Sequence, residues 1–296
     1  MILNSLDSIT SVYDPEVGVR LTLANVTDTA RALERGHLCG PIAGIVQAEL
    51  VGAMTLLGTL LDAPGQRISL RVNLPEGQLG GAMLECAYGY EIRGYTRQKV
   101  LPQLDDSPES SEVIFDRALG HKAICAILRS APGQQDSVAQ FDLNYPDHLT
   151  ITDLVEEYFN TSLQRRTLCQ VEASSDQGYV AGAHAVMCDF APEATDEAYD
   201  RLAKCFDFRL MQDWLYTGIT LPELVKRLEL TPAGEPETHT VCFRCRCSAE
   251  RVLAMLRTLP AQERAAMVAA GKPTDIYCHM CGKCYSITPE QVAALG

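Results

Sequence analysis

The chain has 296 residues, 47% of them hydrophobic, and a net charge of −13; these values are typical of a soluble globular protein long enough for more than one domain. The acidic balance argues against nucleic acid as the main partner, because phosphate binding depends on lysine and arginine. The N-terminus lacks the basic start and apolar run of a signal peptide, so the twelve cysteines indicate a reducing compartment, and we expect a cytoplasmic protein.

Residues 1–191 are expected to form one core domain of α+β class, with helices flanking a sheet. Alternating apolar residues predict strands, and apolar residues at helical spacing predict helices. The apolar stretch 41–62 is long enough to raise the question of a membrane span. It contains Gln47 and Glu49 and has no close basic flank, so it predicts a buried helix and no membrane partner. The strands are expected at 19–26, 66–74, two short segments up to about 96, 112–128, 138–144, 168–173 and 179–189, and the helices at 27–36, 42–62 and 148–164.

Residues 192–238 are expected to form a helical linker and hinge. Phe206, Leu210 and Trp214 recur close to helical spacing, which gives this segment an apolar face that needs a partner, either the core domain or a neighbouring chain. The sequence Thr220–Glu223 is a capping box with proline in the first turn, and it predicts a helix that continues through Leu230. Residues 231–238 are acidic and rich in proline and glycine, which predicts a hinge.

The last segment, residues 239–296, holds half of the cysteines in two clusters separated by thirty residues. Short turns that each carry two cysteines supply neighbouring corners of a tetrahedral zinc site. Six cysteines are too many for one such site, and spacing alone does not choose among them. His279 lies between two cysteines of a turn, so we expect it to point to solvent. The six cysteines are Cys242, Cys245, Cys247, Cys278, Cys281 and Cys284.

The same segment has few large apolar side chains, so we expect the metal to stabilise its fold. Ser248 is a candidate N-cap for one helix, Pro260 starts a second that ends near Gly271, and Thr288 begins a capping box for a terminal helix. Seven lysines and arginines against four acidic residues leave the segment nearly neutral once zinc and four thiolates are added. A zinc module that reads DNA would be more basic.

The cysteine segment resembles the zinc-binding end of the heat-shock protein 33 family, which are redox-regulated holdase chaperones. The family signature is Cys-x-Cys, about thirty residues, then Cys-x-x-Cys. Weaker matches extend over nearly the full chain, with Leu163 in place of the usual glutamate and Ala181 in place of the usual glycine. The matching elements are Phe243-x-Cys245-x-Cys247-Ser248, Arg251, Leu256, Leu259-Pro260, Cys278-x-x-Cys281, Tyr285, and more weakly Arg93-Gly94-Tyr95, Leu154, Tyr158, Ser162-Leu-Gln164 and Ala181-Gly182.

The resemblance implies that one zinc ion per chain is bound by Cys245, Cys247, Cys278 and Cys281, and that these four also form the redox disulfides. Cys242 and Cys284 then lie outside the pattern, as candidate extra redox thiols. In this interpretation the last segment, residues 239–296, is folded in the reduced protein and supports the linker. Oxidation expels the metal, unfolds this last segment and exposes apolar side chains that bind unfolded client proteins. A homodimer of the oxidised chain is a further expectation. The candidate client-binding residues are Phe206, Leu210, Trp214 and Leu228.

Two other classes of function compete with this interpretation. A zinc-ribbon module for protein or nucleic-acid interaction on an α/β body is opposed by the acidic charge. A thiol oxidoreductase needs its Cys-x-x-Cys beside a thioredoxin-like βαβ unit, and no such context surrounds Cys278. No nucleotide-binding motif and no pair of nucleophile and base is present, so we do not expect an enzyme.

Overall fold

A computed structural model of the chain describes residues 6–206 and 208–295. The chain divides into two compact units, Met1–Arg244 and Cys245–Gly296, called here the N-terminal unit and the C-terminal unit. Sheets and helices are mixed in the N-terminal unit, which confirms the predicted α+β class. The separation of a core from a linker within this unit remains a prediction.

The strands of both units are given first, in chain order. They are β1 Ser8–Asp14, β2 Val19–Asn25, β3 Arg67–Asn73, β4 Gly81–Ala87, β5 Glu91–Thr96, β6 Lys122–Ser130, β7 Ser137–Asn144, β8 Thr167–Asp176, β9 Tyr179–Phe190, β10 Ala233–Thr240, β11 Cys242–Phe243, β12 Thr274–Tyr277 and β13 Cys284–Ile287.

The helices connect and cover these strands. A 3₁₀ turn follows the second helix at Gly58–Leu60, and a π-helical turn follows the fifth at Tyr158–Ser162. The α-helices are α1 Thr27–His37, α2 Pro41–Leu57, α3 Pro102–Asp105, α4 Ser111–Leu119, α5 Ile151–Glu157, α6 Asp196–Cys205, α7 Phe208–Tyr216, α8 Leu221–Arg227, α9 Ala249–Arg257, α10 Ala261–Ala269 and α11 Pro289–Ala293.

Two sheets form the N-terminal unit, one with the strand order β10-β1-β2-β9-β8 and one with the order β11-β5-β4-β3-β6-β7. All pairs are antiparallel except β11 with β5. Helix α2 contacts strands of both sheets, and 83% of an 18-residue apolar window within Pro41–Leu60, which includes the following 3₁₀ turn, is buried. A helix that is apolar on every face needs partners on every side. Its length and composition would suffice to cross a membrane, but here it is the predicted buried core helix.

The motif Arg93-Gly94-Tyr95 lies in β5 and joins β5 to its neighbours. Arg93 forms an ion pair of 3.1 Å with Glu85 on β4, and the ring of His37 on α1 is 2.9 Å from the carbonyl oxygen of Gly94. A Cβ atom at position 94 would lie 2.5 Å from a side-chain carbon of Leu84. Only glycine therefore allows β4 and β5 to approach this closely.

Helices α6, α7 and α8 pack on the first sheet, on the face opposite α2. Their buried residues Leu202, Met211, Leu215 and Leu224, together with Leu228 directly after α8, form one apolar cluster with side chains of β1, β2, β8 and β9. The guanidinium of Arg201 donates a hydrogen bond of 2.7 Å to the carbonyl oxygen of Leu228. The amphipathic face predicted from the sequence is therefore covered by the sheet.

Two local predictions were wrong. Residues 231–238 were predicted as a hinge, but Ala233–Thr240 is strand β10, paired with β1 from Ser8↔Thr240 onward. Every residue of β10 is exposed, so the strand carries no apolar alternation. Its main chain pairs with β1, and the side chains of Thr238 and Glu237 add contacts to Thr10 and Arg20. Residues 112–119 were predicted as strand, but they lie in helix α4, whose buried residues Ile114 and Ala118 have helical spacing.

The C-terminal unit is small, and its buried apolar cluster consists of four residues. The hairpin of β12 and β13 packs with α9, α10 and α11. The predicted helix starts are confirmed: Ser248 Oγ accepts a hydrogen bond from the Arg251 amide, and Thr288 forms a capping box with Gln291. The four buried cluster residues are Leu256, Tyr285, Ile287 and Val292.

Candidate metal centre

Four cysteines of the C-terminal unit come together from two places in its fold. Cys245 and Cys247 lie in the extended segment just before Ser248 caps α9, and Cys278 and Cys281 lie in the turn between β12 and β13. In that turn the amides of Cys281 and Gly282 both donate to the carbonyl oxygen of Cys278, at 3.3 and 2.8 Å. Gly282 has a φ of +72°, the left-handed conformation that closes the turn without strain in glycine.

The four sulfur atoms all lie within 4.8 Å of one another. Cys245 Sγ is 3.8 Å from Cys278 Sγ, and Cys247 Sγ is 3.5 Å from Cys281 Sγ. Cys281 is 7% exposed, and the other three are partly buried. Cys245 and Cys247 from the first sequence cluster thus each lie next to one cysteine of the second cluster.

This arrangement fits a tetrahedral metal centre with four thiolates. A metal–sulfur distance of about 2.3 Å places the sulfurs of such a tetrahedron roughly 3.8 Å apart. The measured distances of 3.5 and 3.8 Å agree with that edge. Among the residues that the structure describes, these four are the one group of three or more His, Cys, Asp or Glu side chains close enough to hold a metal ion.

Tyr285 supports the centre from β13. Its hydroxyl donates a hydrogen bond of 3.0 Å to Cys247 Sγ, and this bond raises the pKa of the Tyr285 hydroxyl. The ammonium of Lys283 lies 5.0 Å from the centre of the Tyr285 ring. Burial raises the pKa of Cys278 and of Cys281. Hydrogen bonds from neighbouring side chains to the ligand atoms orient the ligands of metal sites. The sequence indicated Tyr285 only through its place in the family pattern.

The other two cysteines of the segment lie outside the four-sulfur group. Cys242 belongs to the N-terminal unit, where its amide donates 3.1 Å to the carbonyl oxygen of Tyr90. Cys284 is exposed at the start of β13, opposite Tyr277. His279 is also exposed and outside the group. Whether Cys242 and Cys284 take part in redox chemistry remains a prediction.

The candidate client-binding residues lie in the N-terminal unit and differ in exposure. Leu228 is completely buried and Leu210 is 39% exposed. Phe206 and Trp214 are partly buried against the cluster between helices α6–α8 and the first sheet. Three of the four are thus covered wholly or in part while the helices stay on the sheet, and their role remains a prediction.

The remaining six cysteines lie in the N-terminal unit and resemble small buried apolar residues. Burial raises the thiol pKa of all six, to about 11 for Cys39 and to about 12 for Cys125. A thiol with a raised pKa is a poor nucleophile at neutral pH. The six are Cys39, Cys86, Cys125, Cys169, Cys188 and Cys205.

Comparisons with known proteins agree over nearly the whole chain. The family model described as "Hsp33 protein" matches residues 7–288. The "33 kDa chaperonin" of Trichodesmium erythraeum is 24% identical to this chain, and the match covers 98% of this chain and 93% of the relative. The "33 kDa chaperonin" of Deinococcus radiodurans is 27% identical, and the match covers 94% of this chain and 92% of the relative. The crystal structure of the 33 kDa chaperonin (heat shock protein 33 homolog) from Thermotoga maritima superposes with a TM-score of 0.86 over 98% of both chains at 17% identity.

Proposed function

Because the chain belongs to the Hsp33 family, we propose that it is a redox-regulated holdase chaperone, inactive when reduced and metal-bound and active when the metal-binding cysteines are oxidised. The observation that carries this proposal is the group of four sulfur atoms within 4.8 Å of one another. The same four thiols would serve both as metal ligands and as the groups that are oxidised. The "33 kDa chaperonin" relatives support the chaperone class.

We propose zinc as the metal, one ion per chain, bound by Cys245, Cys247, Cys278 and Cys281. Four thiolates in a closed tetrahedron are the donor set of structural zinc sites. Bound zinc would hold α9 and the β12–β13 turn together, since it takes two ligands from each region. The buried cluster of this unit has four residues, so the metal would contribute a large part of its stability.

Oxidation of the four cysteines would remove the donors. Hydrogen peroxide or hypochlorous acid converts one thiolate to a sulfenic acid. A second thiolate attacks that sulfur to form a disulfide and expels hydroxide, which takes a proton from solvent to give water. Two disulfides consume two equivalents of peroxide and leave four sulfurs without the charge that binds the metal. The C-terminal unit would then lose its stabilising centre and unfold.

In this proposal, unfolding of the C-terminal unit releases helices α6–α8 from the first sheet. Phe206, Leu210, Trp214 and Leu228 would become exposed and bind apolar segments of unfolding proteins. No ATP and no turnover are required, and we propose that the protein acts in the cytoplasm, where thiols are reduced until stress. A homodimer of the oxidised form belongs to the same proposal.

The test is suppression of aggregation of a thermally unfolded client by the same preparation in two states. The reduced, zinc-loaded chain should leave client light scattering unchanged, and the peroxide-treated chain should lower it. A variant with serine at Cys245, Cys247, Cys278 and Cys281, given the same peroxide, separates oxidation of these cysteines from other damage. Equal suppression by the reduced and the oxidised wild type would disprove the switch but not the chaperone.

A further inference from the structure

The N-terminal unit contains a solvent-accessible cavity that the proposed chaperone mechanism does not use. Its volume is about 670 Å³, within the range of small-molecule sites. Five parts of the fold converge on it: α2, α4, the segment 148–152 that begins α5, the edge strand β8, and α7. Much of its wall is apolar: Ile45, Phe115, Leu119, Leu149, Ile151, Val171, Ala173 and Tyr216.

Three acceptor side chains line this cavity and have few protein partners. Glu172 is 9% exposed, and the amide of Gln212 donates to one of its oxygens at 3.3 Å. Gln170 is 6% exposed, and its own amide donates 3.1 Å to the Val171 carbonyl, while no described residue donates to its side-chain oxygen. Glu49, on α2, receives no hydrogen bond from any residue that the structure describes. None of their oxygens is among the fully buried side-chain atoms without a partner, so the unpartnered oxygens are accessible from the cavity.

The charged groups that line the cavity are acidic apart from His148, whose pKa is raised by Asp116 and Glu112. Neither lysine nor arginine is among its described lining residues, whereas Glu112 and Asp116 at α4 add two further carboxyls, with His148 between them at 2.9 and 2.8 Å. Burial raises the pKa of Glu172 to about 7, with Asp213 adding repulsion. Burial and the charge of Glu172 raise the pKa of Glu49 well above its ordinary value. A bound cation would offset both the desolvation and the repulsion.

The lining suits an organic cation better than a metal ion. No third acidic, histidine or cysteine side chain joins Glu49 and Glu172 at metal-binding distance among the described residues, and hard divalent cations need about six oxygen ligands. An ammonium group has three N–H donors for carboxylate and amide oxygens. The apolar wall suits a short aliphatic chain attached to it.

We propose that this cavity is a binding site for a primary ammonium group on a short aliphatic chain, held by Glu49, Gln170 and Glu172. The same chemistry is available from a free aliphatic amine and from a lysine side chain. Because Gln212 and Tyr216 of α7 line the cavity, a bound amine would also hold α7 against β8.

Calorimetric titration of the reduced, zinc-loaded full chain with 1,5-diaminopentane tests this site. We expect saturable binding to one site. Glu172→Gln and Glu49→Gln, which keep the side-chain shape, should each weaken binding roughly 10- to 100-fold, as expected for loss of a charged hydrogen bond. The matched control Glu263→Gln removes the same charge from an exposed position of the C-terminal unit and should bind like the wild type.

Two comparisons on the wild type keep the test independent of how the variants fold. The neutral analogue 1,5-pentanediol should bind at least roughly tenfold more weakly, because it lacks the charge. Hydrogen exchange with saturating amine should slow amides in β8 and α7. Equal binding of the diol, equal binding by all three variants, protection elsewhere, or no binding by either molecule would overturn the proposal. Nα-acetyl-lysine amide distinguishes the source: tighter binding than the diamine assigns the site to lysine side chains, and weaker binding to free amines.

Discussion

At the scale of single residues, the chemistry of the candidate metal centre depends on which sulfurs are present. Cys245 and Cys281 lie in the four-sulfur group, whereas Cys242 and Cys284, each three positions away along the chain, do not. Cysteines close in sequence are therefore divided between two environments. Replacing a cysteine of each environment with serine therefore distinguishes a metal ligand from a neighbouring thiol.

Cys245→Ser should abolish stoichiometric zinc binding and destabilise the C-terminal unit, because three thiolates and a hydroxyl bind zinc far more weakly than four thiolates. Cys242→Ser should keep one zinc per chain. The measurement is zinc content by atomic spectroscopy after gel filtration under reducing conditions. The opposite pattern, with zinc kept by the first variant and lost by the second, would mean that the ligand set is different.

Cys242 and Cys284 are predicted to act as additional resolving thiols. Once a ligand sulfur is a sulfenic acid, a thiolate three residues away can attack it, since a turn of that length can bring two Cα atoms within roughly 7 Å. The Cys242→Ser/Cys284→Ser double variant should release zinc more slowly under peroxide at unchanged stoichiometry. The role is refuted by unchanged kinetics together with disulfides only between Cys245 and Cys247 and between Cys278 and Cys281 in the wild type.

The pH dependence of stability should contain a contribution from Glu172. Its pKa is raised from 4.5 to about 7 by burial, so the folded state holds a proton that the unfolded state loses between these values. The contribution of this group to the free energy of unfolding is therefore fully present below pH 4.5 and lost as pH rises through 7, by on the order of 1–3 kcal/mol. Glu172→Gln should flatten this decline in chemical denaturation curves, and Glu263→Gln should not.

At the scale of elements, helices α6–α8 are the part whose apolar face is covered only while it rests on the sheet. Trp214 is the single tryptophan of the chain. It is partly buried in this cluster, and the guanidinium of Arg227 lies 4.9 Å from its ring. The indole therefore reports on whether the helices are docked.

Oxidation by peroxide should shift the emission of Trp214 to longer wavelength, because undocking transfers the indole to water. Leu224→Ala, at a completely buried position of α8, should cost about 2–5 kcal/mol of packing and produce part of the shift in the reduced protein. Lys226→Ala on the exposed side of the same helix is the control. Emission that stays constant through full oxidation would exclude release of α7.

At the scale of the whole molecule, the two units differ in what stabilises them. The N-terminal unit has a continuous apolar core around α2, whereas the C-terminal unit has four buried cluster residues and a cysteine site. Burial of apolar surface should therefore be sufficient to stabilise the folded N-terminal unit and insufficient to stabilise the folded C-terminal unit.

Chelation of zinc from the reduced chain should unfold residues 245–296 and leave the core strands of the N-terminal unit folded. Hydrogen exchange followed by proteolysis measures this for each segment: β12, β13 and α9 should lose protection, and β2, β3 and β9 should keep it. Readdition of zinc should restore the pattern. Protection of β12 and β13 that persists without metal would show that the small apolar cluster suffices alone.

The sequence by itself determined the features that depend on neighbouring residues. The cap at Ser248, the capping box at Thr288 and the alternation of β3 all appear in the structure as predicted, because their hydrogen bonds and burial repeat within a few positions. The strand prediction was misleading at α4, where residues 112–119 are helical and the buried residues follow helical spacing.

Only the tertiary structure decided which distant groups meet. Spacing left six cysteines as alternatives, and the return of the chain through the β12–β13 hairpin brings four sulfurs together. Strand β10 pairs with β1 across more than two hundred residues, through main-chain groups that every sequence possesses. The cavity around Glu49 and Glu172 likewise needs α2 and β8 to be adjacent. Contacts between residues far apart in the chain depend on the folded backbone path, which no local periodicity records.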